Sequence, residues 1–190
     1  MHEAPTTSRT LKKLPSDHPA PKINLSERSQ LGIKPPLIYQ APLADTDEQA
    51  ERAIKSRVDE FFHVRSVAEA AASFVSLSQT RHHQLIHSLV EKTLEKKAAD
   101  VDLTASLFQH LVKENIVPLD IFLKGFTPVI EQLDDTSIDV RFAYEFTGKL
   151  LKAAGLAEKE VAELAQKIDT EMLDQAAKRL LDGFKSAALQ

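Results

Sequence analysis

From residue 46 onward, apolar residues recur every three or four positions, in short stretches that polar turns separate. This is the period of one face of an α-helix, and no stretch shows the alternate-residue pattern of a half-buried strand. Each predicted helix has about three or four turns, which is too short for stability in water without a packed face. Short connections make successive helices antiparallel. The spacing therefore predicts an all-α fold, a solenoid-like stack of antiparallel helical hairpins with about eight helices.

Single residues predict several helix boundaries and core positions. Ser66 is expected to cap the second helix, because a serine oxygen can accept a free N–H of the first turn. Pro118 suits the first turn of the fifth helix, where its missing N–H costs nothing. Pro128 lies inside that helix and is expected to kink it. Phe126 and Phe146 are predicted to be buried between hairpins.

The C-terminal part of the chain is predicted to hold three helices. The sixth helix starts at Asp135 or Ser137 and runs without a break to a stop near Gly155. Two further helices follow, over about residues 158–168 and 171–187.

Residues 1–45 differ in composition from the rest of the chain. They hold seven of the nine prolines and, in Tyr39, the only aromatic residue before Phe61. Such a segment cannot bury enough apolar surface to offset its ordering entropy, so it is predicted to be a disordered linker that precedes a domain of residues 46–190. One apolar island interrupts it, the stretch LGIKPPLIY over residues 31–39. We interpret it either as a linker end that packs loosely on the domain or as a short linear motif for another protein.

Charge and composition argue against several classes of function. The chain has 24 basic and 28 acidic side chains and a net charge of −4, whereas nucleic-acid-binding proteins gather cations against phosphate. It has no cysteine, which excludes disulfides, thiolate metal sites and a cysteine nucleophile. No apolar run approaches the ~18–20 residues that cross a bilayer. We expect a cytoplasmic, monomeric protein that binds neither nucleic acid nor membrane.

Signals for catalysis are nearly absent. The five glycines are scattered, so neither a phosphate-binding loop nor a dinucleotide-binding turn can form. His83, His87 and Glu91 repeat every four residues and could ligate zinc from one helix face. One helix rarely supplies a whole set of ligands, and a solvated helix face explains the spacing better. We expect a protein that is not an enzyme and that uses no cofactor or metal.

An acidic segment is more informative. Between Glu114 and Asp139 the chain has six acids and one base, Lys124. The acids are Glu114, Asp120, Glu131, Asp134, Asp135 and Asp139. Carboxylates at a helix start are favoured by its dipole and can cap free N–H groups, which explains one or two of them. Alternatively, the acids form an exposed corner on which arginines of a partner protein dock, and the residues alone leave both interpretations open.

Two stretches of the sequence resemble a known family. The stretch FLKGFTPVIEQLDDTSIDV, followed by AYEF and then GL, resembles the core signature of the MI domain, and AIKSRVDEFFHVRSVAEA resembles that family's first helix pair. The resemblance covers about residues 50–156 and depends on the order and spacing of successive helices more than on one short motif. This module occurs in the eukaryotic translation initiation factor 4 gamma family and in programmed cell death protein 4.

The resemblance implies a HEAT-like stack that binds the DEAD-box RNA helicase initiation factor 4A. It implies that the acid pair at the turn before the sixth helix, Asp135 and Asp139, contacts the helicase. Glu131 and Asp134 would add weaker electrostatic contacts at the rim. The sequence departs from the family pattern at Arg141, where the family has proline, and this places a positive charge beside the pair.

We therefore interpret the sequence as a helicase-binding adaptor domain of a translation initiation scaffold. Two alternatives stay open. The first is a helical-repeat scaffold that binds another protein through the apolar island of residues 31–39 or through a groove between hairpins, or a translation inhibitor of the programmed cell death protein 4 type. The second is a metal-dependent enzyme built on the histidine group.

Overall fold

The computed structural model describes residues 47–189, and this part of the chain is all-α. It contains nine α-helices, one 3₁₀ turn over Gln79–Arg81 and no strand. The helices are α1 Asp47–Val64, α2 Val67–Ser76, α3 His82–Leu94, α4 Ala98–Lys113, α5 Leu119–Glu131, α6 Leu133–Asp139, α7 Ala143–Ala153, α8 Glu158–Ala165 and α9 Leu173–Ser186. None of these helices is both long and apolar enough to span a membrane. The predicted linker of residues 1–45, with its apolar island, lies outside the described residues.

The helices are arranged in two layers of stacked hairpins. Helices α1, α3, α5 and α8 pack in sequence in one layer, and α2, α4, α7 and α9 pack in sequence in the other. The pairs α1–α2, α3–α4 and α8–α9 are hairpins, while α5 and α7 are joined through the short helix α6, which contacts both. The all-α stack of hairpins predicted from the apolar spacing is confirmed. The described part has nine helices where about eight were expected.

The prediction of a single sixth helix from Asp135 or Ser137 to Gly155 is wrong. This segment forms two helices, α6 and α7, which accounts for the additional helix. The backbone turns to an extended conformation at Val140, with φ −110° and ψ 95°, and helix resumes at Ala143. This break lets Leu133 anchor α6 in the core, while α7 buries its own face against α4 and α9. The last two helices lie at their predicted positions, and Gly155 ends α7 with a φ of +77°.

The core lies between the two layers and is rich in aromatic rings. Phe126 is fully buried, as predicted, and its ring lies edge-to-face against that of Phe108, with centroids 6.0 Å apart. Phe122 meets Phe108 in the same manner at 5.2 Å. Phe146 is only partly buried and packs against the edge of the core, so the prediction that it is buried between hairpins is confirmed only in part. Its ring contacts that of Phe142 at the protein surface, with centroids 5.8 Å apart.

Glycines allow two pairs of helices to approach closely. A Cβ atom on Gly125 of α5 would lie 2.7 Å from the Ile86 side chain of α3. A Cβ atom on Gly148 of α7 would lie 2.4 Å from the backbone nitrogen of Phe184, and the neighbouring Gly183 of α9 packs equally closely on α7. Since real Cβ atoms do not approach backbone so closely, the stacking of α7 on α9 requires glycine there.

The predicted helix starts are close to those observed. The Glu69 N–H donates to Ser66 Oγ at 3.3 Å, which confirms Ser66 as the cap of α2. Pro118 is the residue immediately before α5 and not its first helical residue. Helix α5 continues through Pro128 to Glu131.

Candidate partner-binding site

The acidic residues predicted to bind a partner lie on and around α6. This helix has seven residues and starts one residue after α5 ends. Only Leu133 of α6 is buried, so the remaining residues of the helix lie at or near the surface. A short helix held by one buried anchor between two longer helices therefore leaves several polar side chains at the surface.

Asp135 and Asp139 are the exposed carboxylates of this helix. They are four residues apart, so they share one side of α6 with Cβ atoms about 5–6 Å apart. Within residues 47–189 neither carboxylate has a hydrogen bond or an ion pair. Asp135 is in the first turn, where the helix dipole favours an acid, but Asp139 is the last residue of α6, where the dipole disfavours one. Local helix stability therefore does not explain Asp139.

Asp134 has an internal role instead. Its Oδ1 accepts a hydrogen bond from the Tyr144 hydroxyl at 2.8 Å, and its Oδ2 accepts one from the Thr170 hydroxyl at 2.7 Å. The Arg179 guanidinium lies over the Tyr144 ring, 4.0 Å from its centroid. This network ties α6 to α7 and to the segment between α8 and α9. The sequence did not indicate such a role, and a contact of Asp134 with a partner stays a prediction.

The same network shifts the pKa values of its members. The hydrogen bonds from Thr170 and then Tyr144 lower the pKa of Asp134 below its ordinary value of 3.8, since they stabilise the carboxylate. Burial, and then the hydrogen bond to Asp134, raise the pKa of the Tyr144 hydroxyl. Asp134 is therefore charged and Tyr144 neutral at pH 7, the state that this hydrogen bond requires.

Glu131 lies at the end of α5 with an exposed side chain. Its carboxylate makes no hydrogen bond or ion pair with the described residues, and its backbone carbonyl accepts the Asp169 N–H at 3.0 Å. The segment between α8 and α9 thus donates hydrogen bonds both to the end of α5 and to Asp134 of α6. Glu131 lies beside the α6 carboxylates in sequence and adds to the negative charge of this corner.

Arg141, the departure from the family pattern, does not neutralise the acid pair. Its guanidinium lies over the Phe142 ring, 5.3 Å from the centroid, and it forms no ion pair with a described residue. Phe142 is 46% exposed and Ile138 of α6 is 79% exposed. These apolar side chains were not recognised in the sequence, because the spacing assigned Phe142 to the buried face of one continuous helix.

The histidine group does not form a three-ligand set. His87 Nε2 lies 3.3 Å from Glu91 Oε2, and the neighbouring His82 is buried with Nε2 2.8 Å from the Phe74 carbonyl oxygen. Among residues 47–189 no three histidine or acidic side chains are placed to hold a metal ion.

Comparisons with known proteins agree with this arrangement of helices. The family model described as the MA3 domain matches residues 50–157. Eukaryotic translation initiation factor 4 gamma 3 of Homo sapiens is 31% identical over 121 residues, 61% of this chain and 8% of that protein, and its Mus musculus counterpart gives the same figures. Eukaryotic translation initiation factor 4G of Arabidopsis thaliana is 30% identical over 108 residues, 55% of this chain and 6% of that protein. No solved structure matches.

The chain thus spans less than a tenth of the length of these curated relatives. The family match ends at residue 157, so α8 and α9, together with Thr170 and Arg179 of the Asp134 network, lie beyond it. The match covers more than half of the chain and almost the same segment as the resemblance to the MI domain. The chain belongs to the MA3 domain family, which is MI-like.

Proposed function

We propose that this chain is an adaptor domain of translation initiation that binds the DEAD-box RNA helicase initiation factor 4A through α6. The observation that carries the proposal is the pair of exposed carboxylates, Asp135 and Asp139, which have no partner among the described residues. The similarity to initiation factors of the 4 gamma type supports a role in translation. A cytoplasmic location and a monomeric state are parts of the same proposal.

The proposed contact is electrostatic and directional. Arginine side chains of the helicase donate to the Asp135 and Asp139 carboxylates, because charged hydrogen bonds of this type combine strength with geometric specificity. Glu131 lies near the end of the same corner and mainly raises the association rate, as charges at an interface rim do. The domain itself carries out no chemistry and changes helicase activity only by its preference for one helicase conformation.

Isothermal titration calorimetry of the full chain with the purified helicase tests this proposal. The variant Asp135→Lys plus Asp139→Lys is expected to weaken binding by at least about 30-fold, or ~2 kcal/mol, because it replaces both acceptors by cations. Circular dichroism of this variant is expected to stay helical, since both side chains are exposed and unpaired.

A matched control separates a specific contact from a general charge effect. Glu51→Lys plus Glu60→Lys makes the same change in net charge on α1, at two exposed carboxylates without a described hydrogen bond or ion pair. This control is expected to bind the helicase within about threefold of the wild-type affinity. Equal affinity of the α6 variant and the wild type would refute the proposal.

A further inference from the structure

A groove lies beside α6 where two turns of the helical stack meet. It has a volume of about 660 Å³. One wall is the turn from α3 to α4, and the other is the segment between α6 and α7 with the first turns of α7. The lining is mainly apolar and includes the rings of Phe142 and Phe146, together with Leu94 and Val140.

The rim of this groove is basic. Lys96, Lys97 and Arg141 line it and are exposed, and none of the three forms an ion pair with a described residue. Lys96 lies over the Phe62 ring, 5.4 Å from the centroid, and Arg141 lies over that of Phe142. Cations held over aromatic rings keep free hydrogen-bond donors for a carboxylate.

Acids in the lining do not cancel this charge. Glu95 is already paired with Lys92, at 2.8 Å. Asp139 is the remaining acid, and it lies at the edge that α6 shares with the groove. The groove therefore combines an apolar floor with a net positive rim, directly beside a helix of opposite charge.

This combination selects its occupant by shape and charge. A bilayer with anionic headgroups is a broad surface, and it would also press against Asp139 at the edge of the groove. A nucleic acid backbone would meet the same carboxylate. A peptide in extended or single-turn form is narrow enough to enter the groove, where one large side chain would meet Phe142 and its flanking residues would meet Lys96, Lys97 and Arg141.

We propose that this groove binds a linear peptide segment of a partner protein, in which one large apolar side chain is flanked by carboxylates. The apolar side chain supplies the anchor, and the carboxylates select the segment by pairing with the unneutralised rim. The groove is a second interaction surface that adjoins the proposed helicase contact of α6 and shares Asp139 with it.

Selection of displayed peptides tests the proposal without a known partner. A library of random linear 12-residue peptides on phage is selected against the full chain. The enriched peptides are expected to share an aromatic residue or leucine with aspartate or glutamate on both sides. A synthetic peptide of that consensus is then titrated into the chain by fluorescence anisotropy.

Groove variants locate the binding site. Lys97→Glu plus Arg141→Glu, and separately Phe142→Ser, are each expected to weaken peptide binding at least ~10-fold. Both leave Asp135 and Asp139 in place, so neither is expected to weaken helicase binding. Lys55→Glu plus Lys178→Glu is the matched control, with the same change in net charge at exposed lysines elsewhere and unchanged peptide affinity.

The remaining outcomes overturn the proposal. No enriched peptide, a basic consensus, or a consensus without a large apolar residue would each contradict the chemistry inferred for the groove. Unchanged peptide affinity in both groove variants would place binding elsewhere. The chain could also sediment with phosphatidylserine vesicles. If Lys97→Glu plus Arg141→Glu abolished that binding, the groove would be assigned to a lipid surface instead.

Discussion

The hydrogen-bond network of Asp134 permits a quantitative test of how α6 is held. The Asp134 carboxylate accepts from Tyr144 and from Thr170, a residue 36 positions further along the chain. A hydrogen bond to a charged group contributes about 1.5–3 kcal/mol. Because Asp134 is partly exposed, the lower half of this range applies to each bond, and Asp134→Ala is expected to cost about 3 kcal/mol. For a chain of this size, the melting temperature should fall by about 6–12 °C.

The pH dependence of this effect has a definite sign. The pKa of Asp134 is lowered in the folded state, so its stabilisation is fully present above its unfolded-state value of 3.8. It is lost as the pH falls through the lowered folded-state pKa, where the carboxylate becomes protonated. The difference in unfolding free energy between wild type and Asp134→Asn should therefore be constant from pH 7 to about pH 5 and shrink below about pH 4.

Urea unfolding followed by circular dichroism measures these free energies. A double-mutant cycle with Tyr144→Phe is expected to give a coupling energy of about 1–2 kcal/mol with Asp134→Ala. Asp169→Ala is the matched control, an exposed aspartate just before Thr170, and should change stability by less than ~0.5 kcal/mol. A cost below ~0.5 kcal/mol for Asp134→Ala would refute the network as a stabilising contact. So would a difference in unfolding free energy between wild type and Asp134→Asn that does not change with pH.

Substitutions at three further positions test the packing and the capping of the helices. Phe126→Ala removes a fully buried ring and should cost about 3–5 kcal/mol in urea unfolding, whereas a cost below ~1 kcal/mol would contradict its place in the core. Gly148→Ala places a Cβ 2.4 Å from the Phe184 backbone and should cost about 1–3 kcal/mol, with faster hydrogen exchange in α9; unchanged exchange would show that α7 and α9 can separate freely. Ser66→Ala removes the cap of the Glu69 N–H and should lower the unfolding free energy by about 1 kcal/mol, while Ser66→Asp should retain it.

The corner around α6 shows why helix boundaries there were predicted incorrectly. Apolar residues continue at helical spacing from Ile138 through Phe142 to Phe146, so local periodicity favours one helix. The extended backbone at Val140 interrupts it, because α6 is anchored by Leu133 while α7 packs on α4 and α9. Competition between these two sets of distant contacts decides the break, and short-range spacing carries no information on it.

The role of Asp134 was missed for a related reason. In the sequence it is one of several acids near a helix start, where capping was the expected local explanation. In the structure neither Asp134 nor Asp135 caps α6, and Asp134 instead accepts from Thr170 in the segment between α8 and α9. That segment lies beyond the family match, so neither spacing nor resemblance pointed to it.

The position and lining of the groove could not be predicted, because its two walls come from distant parts of the chain. Lys96 and Lys97 lie in the turn after α3, while Arg141 and Phe142 lie in the turn after α6. Each turn on its own contains an ordinary set of charged and apolar residues. Their combination exists only after the third and fourth helices have stacked against the seventh.

The sequence by itself determined the helical class, the approximate position of most helices and the candidate acids, because periodicity and charge are properties of neighbouring residues. Only the tertiary structure decided which carboxylates are available to a partner. It engaged Asp134 with Tyr144 and Thr170, and left Asp135 and Asp139 exposed on α6. The physical reason is that a carboxylate's availability depends on which donors folding brings within hydrogen-bond distance, and those donors come from far along the chain.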